Sequence, residues 1–125
     1  MKHAPPRRRA LRSLRRRDRA EALNTLKEAE SALTRIEVES ADVARRIASL
    51  SASLDTRPEK NALTAGCLQM DALRLERIRG ELQRLVTREA ALVGDERVAA
   101  ERLDEAKDAA ARAVKALAAL EDKTE

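Results

Sequence analysis

The sequence predicts an all-α fold, two long helices folded back as an antiparallel coiled-coil hairpin, and three observations predict it. Apolar residues recur in two ladders, Leu26, Ala29, Leu33, Ile36, Ser40, Val43, Ile47, Leu50, Leu54 and then Leu75, Ile78, Leu82, Leu85, Glu89, Leu92, Glu96, Ala99, Leu103, Ala106, Ala110, Ala113, Leu117, Leu120. Their steps alternate between three and four residues, the a and d positions of a heptad repeat, whereas a strand would need period two. One short break bearing Pro58 separates the ladders. The 125 residues include no Phe, Tyr or Trp. Leu, Ile, Val and Ala suffice for a two-helix seam, but a layered globular core needs larger side chains.

The elements follow in order. Pro5 and Pro6 exclude a regular helix before them, so residues 1–6 are expected to be disordered and the first helix to run over 7–54. Leu11 and Leu14 lie one residue out of the frame that Ala22 and Leu26 establish, a slip absorbed by local overwinding. A turn over 55–65 follows. Two starts suit the second helix: a capping box of Thr56 and Glu59 around Pro58, which begins it near 58, or Thr64, which begins it at 66. It ends at about 121, leaving 122–125 disordered. Cys67, the only cysteine, reads as a small apolar filler near the break.

A short connection favours antiparallel neighbours. A turn centred near residue 60 pairs positions whose numbers total about 120, which sets the arginines of 7–19 against Glu101, Asp104, Glu105 and Asp108. Glu89 and Glu96 interrupt the second ladder. The seam is expected to rotate onto Val86 and Val93 there, with a polar register pin as the alternative. Beyond Leu92 the ladder thins to alanine, so this part of the seam buries less area per layer.

Charge is distributed unevenly. Residues 1–19 carry Lys2 and eight arginines against Asp18, a net +8, while the other 106 carry a net −4. Such a cluster suits an acidic partner. Catalysis is not expected: His3 is the only histidine, no Gly-rich phosphate loop is present, and the carboxylates lie on solvated faces. No cofactor, metal or small-molecule substrate is expected. No apolar run reaches the roughly 20 residues of a membrane span. The lone thiol suits a reducing cytoplasm.

A basic first helix containing Arg-Ser-Leu-Arg-Arg-Arg-Asp-Arg-Ala-Glu (residues 12–21), a mid-chain turn with a proline and a longer Ala/Glu/Arg-rich second helix together resemble the central stalk proteins of bacterial type III secretion systems, the FliJ/YscO/HrpO group. The resemblance spans nearly the full length and rests on architecture rather than a diagnostic motif. It implies a cytoplasmic, non-enzymatic stalk peripherally associated with a membrane secretion apparatus. The terminal end would insert into the hexameric secretion ATPase and the turn would point to the membrane export gate, with export chaperones as further partners. Carried onto this chain, Arg7, Arg8, Arg9, Arg12, Arg15, Arg16, Arg17, Arg19, Val114, Leu117 and Leu120 would meet the ATPase. Arg45, Arg46, Arg57, Arg74 and Arg77 would face the gate. The flagellar member has aromatic residues on its gate-facing surface, and this chain has none.

Two other readings stand beside it. A generic coiled-coil adaptor or tether would pair as a homodimer of hairpins, whereas a stalk is a monomer in isolation. Nonspecific nucleic-acid binding would rest on phosphate contacts alone, because no aromatic side chain can stack on bases and the base-reading residues of a bZIP helix are missing.

Overall fold

The computed structural model describes residues 6–56 and 64–122, and they form two helices, α1 (Pro6–Leu54) and α2 (Ala65–Asp122). The two fold back on one another as a helical hairpin. Residues 1–5, 57–63 and 123–125 lie outside the described residues, and with them Arg57 and the Pro58 and Glu59 of the proposed capping box. Pro6 and Asp122, both expected to be disordered, are the end residues of α1 and α2.

Each helix boundary has a local cause. Proline at the first position of α1 gives up an N–H that would have no intrahelical acceptor. The last turn of α1 tightens, with the Asp55 and Thr56 amides donating to the Ala52 and Ser53 carbonyls at 3.2 and 3.3 Å. α2 begins after Thr64, the later of the two starts. The Thr64 hydroxyl accepts from the Cys67 amide at 3.1 Å and its carbonyl from the Leu68 amide at 2.9 Å, which caps the helix. The Thr56 hydroxyl instead turns back to the Ala52 carbonyl at 3.5 Å.

Every residue of both ladders is buried or half-buried. The expected rotation onto the valines does not occur. Val86 and Val93 are 52% and 64% exposed, while Glu89 and Glu96 stay half-buried in the ladder. Leu85 and Leu92 keep the seam on the ladder itself, Leu92 almost fully buried, so Glu89 and Glu96 stay in line with them and the valines lie on one flank.

The chain divides into two compact units, a loop-side unit of residues 36–96 and a terminal unit of residues 1–35 and 97–125. In the loop-side unit Val43, Leu50 and Leu92 are buried, Leu92 almost completely. In the terminal unit the buried residues are Ala99, Ala106, Ala110 and Leu117. Alanine lets helices approach closely but removes little apolar area from water, so each layer there contributes less than a leucine layer.

Candidate functional site

Three cross-helix contacts organise the loop-side unit, and they recur at one-heptad intervals. Arg74 donates to the Ser53 carbonyl, Arg46 to the Glu81 carboxylate, and Arg88 to the Glu39 carboxylate. Each step moves seven residues back along α1 and seven forward along α2. With Leu26 and Leu75 as a positions, all six residues are at g. In antiparallel helices the g positions of both chains share one flank, so this pattern gives the orientation directly. The paired numbers total 127 rather than the expected 120, a register one heptad further along. As a result the first turns of α2 extend past the end of α1.

The individual geometries differ in strength. Arg46 donates from Nε and a terminal nitrogen to one Glu81 oxygen at 3.1 and 3.0 Å, and Arg88 grips Glu39 similarly at 2.9 and 2.7 Å. Both pairs are substantially exposed, and such pairs are each worth only a few tenths of a kcal/mol. Arg74 is less exposed and makes more contacts. Asp71 orients it at 3.0 Å, and its fork bonds the Ser53 and Thr56 carbonyls, both at 3.2 Å, supplying donors to the open C-terminal end of α1.

These contacts redistribute the residues expected to face a gate. Arg46 and Arg74 are tied into the hairpin, and Arg45 pairs with Asp42 of its own helix. Arg77 is exposed and lines an open hollow of about 750 Å³ with Thr64, Gly66, Cys67, Met70 and Leu73. Beside it Leu68, Met70 and Leu73 are 49%, 71% and 51% exposed. Cys67 is exposed as well, so it does not fill the interior as expected. This apolar start of α2 is the feature that sequence reasoning missed. Leu68 falls at an a position, and only the observed register leaves it without an opposing α1 residue.

In the terminal unit, among the described residues, no ion pair joins Arg7, Arg12, Arg15, Arg16, Arg17 or Arg19 to Glu101, Asp104, Glu105 or Asp108. Arg16 meets Glu121 at 3.9 Å, Arg15 meets Asp18 of its own helix at 3.7 Å, and Glu101 is taken by Arg97 at 3.7 Å. The arginines lie instead toward the last turns of α2. Continuing the α1 ladder back from Leu26 and Ala22 gives Arg19, Arg15, Arg12 and Arg8, but of these only Arg12 is half-buried and the other three are exposed. Arginine stems can cover apolar surface while their heads reach water, and small alanines in α2 leave room for them. Arg12 is the half-buried member, its Nε shielded from solvent without an acceptor among the described residues. Arg7, Arg17 and Arg19 are exposed, as are Arg8 and Arg9, which have contacts of their own. Val114 is exposed and Leu120 half-buried, but Leu117 is only 5% exposed and belongs to the core, not to a docking face.

Among the described residues no cluster of His, Cys, Asp and Glu could hold a metal, and no helix is long and apolar enough to cross a membrane. No protein-family profile matches the chain, and no curated protein or solved structure is significantly similar to it.

Proposed function

We propose that the chain is a non-enzymatic coupling stalk of a bacterial type III secretion apparatus, working in the cytoplasm against a membrane-bound machine. The observation that carries this reading is the division of labour between the two units. The terminal unit concentrates exposed arginines on a narrow, alanine-seamed helix pair, suited to a ring whose subunits offer carboxylates. The loop-side unit is packed on Val43, Leu50 and Leu92, carries cross-helix ion pairs on one flank, and shows an apolar surface at Leu68, Met70 and Leu73 beside Arg77, suited to a second partner such as the export gate or a chaperone.

The test is hydrolysis by a purified hexameric secretion ATPase titrated with the chain. Turnover rises several-fold at low salt, the rise weakens as ionic strength screens the contacts, and Arg7→Glu/Arg17→Glu/Arg19→Glu abolishes it. An ATPase that neither binds the chain nor changes its rate contradicts the proposal. The exposed Val86 and Val93 favour one alternative, an adaptor in which two hairpins pair. A concentration-dependent mass of twice 13.9 kDa would support that reading over a monomeric stalk.

A further inference from the structure

We infer that alternating charges at the g positions of the loop-side unit form a register lock that forbids the hairpin from sliding by one heptad. The period of the hydrophobic seam does not supply this choice. It is seven, so a slip of one heptad carries each a and d residue onto another a or d position. One such slip would even bring Leu68 into the seam, where it is now half exposed. Nor does the connection forbid it, since the ten residues between Leu54 and Ala65 can span the roughly 10 Å that a heptad of helix rises.

The flank decides. Along α1 the g positions read Glu39, Arg46, Ser53, and along α2 they read Arg74, Glu81, Arg88, Asp95. In the observed register Arg46 meets Glu81 and Glu39 meets Arg88. Slipped one heptad in one direction, Arg46 would face Arg74 and Glu39 would face Glu81. Slipped the other way, Arg46 would face Arg88 and Glu39 would face Asp95. Each alternative turns two attractive pairs into two repulsive ones. The opposite flank offers little against this: Glu37 would meet Arg79 in the first slipped register, one attraction set against two attractions lost and two repulsions gained. Two exposed ion pairs stabilise the fold only slightly, yet the difference between registers counts their loss and the new repulsion together. The unit therefore behaves as a rod of fixed register, passing an axial displacement along instead of absorbing it by sliding. This holds whether or not the partners proposed above are correct.

Spin labels at Ala44 and Gln83 in a Cys67→Ser background test it, because these exposed residues are level in the observed register. The parent protein gives one distance population. Exchanging the α1 charges, Glu39→Arg with Arg46→Glu, leaves composition and net charge unchanged but makes both slipped registers attractive. The labels then separate by an axial offset of about 10 Å. Adding Glu81→Arg and Arg88→Glu restores the original pairing and the original distance. An exchange variant with the parent distance overturns the lock. So does a four-fold variant that folds but stays displaced. If the exchange variant instead loses its helicity, the four-fold variant decides alone: recovery of the parent distance supports the lock and any other distance refutes it.

Discussion

Single residues in this chain carry two kinds of weight, set by whether they lie in the seam or on its flanks. Leu92 is 1% exposed, and Leu92→Ala is expected to destabilise the protein by about 2–4 kcal/mol, read from the midpoint of urea unfolding. Gly94 sits mid-helix, with no neighbour within 4 Å of where a Cβ would be and no left-handed φ to require glycine. Gly94→Ala is therefore expected to raise stability by about 0.5–1 kcal/mol, seen as a higher melting temperature. Glu89 and Glu96 were legible as seam positions from spacing alone, but their half-burial was not. A heptad pattern fixes the period of a stripe, while its rotation depends on which side chains pack against the partner helix, and here Leu85 and Leu92 keep the seam on the ladder.

At the scale of the elements, both helices and their limits follow from short-range chemistry that a sequence displays: proline at the start of α1, a threonine cap on α2, and ladders whose every member is buried or half-buried. The register was not legible from loop length. Pairing about a turn centre assumes that both helices begin level with the turn, whereas α2 overruns the end of α1 and Arg74 ties that end down 21 residues away in sequence. The alternating g charges were in the sequence and give the correct register once both neighbouring alignments are compared. Seam composition also predicts uneven stability. Amide exchange is expected to be faster at Ala110, in the alanine-rich seam, than at Leu82, in the leucine-rich one, and stronger protection at Ala110 would contradict that ranking.

For the molecule as a whole, composition restricts the chain to long helices, and charge asymmetry makes the arginine-rich segment the interaction surface proposed here. Which of those arginines remain available could not be read from a run of eight. Arg12 is drawn partly into the unit and Arg16 toward Glu121, while Arg7, Arg17 and Arg19 stay exposed. Leu117, assigned to the same surface by the resemblance to stalk proteins, is core because it is a ladder residue facing the partner helix. The central claim is that this segment, and not the start of α2, engages a secretion ATPase. Site-specific photo-crosslinking tests it most directly, with the reactive group placed at Arg17 in one variant and at Arg77 in another. The account predicts a crosslink to the ATPase from Arg17 and none from Arg77, and a crosslink from Arg77 alone, or from neither, would contradict it.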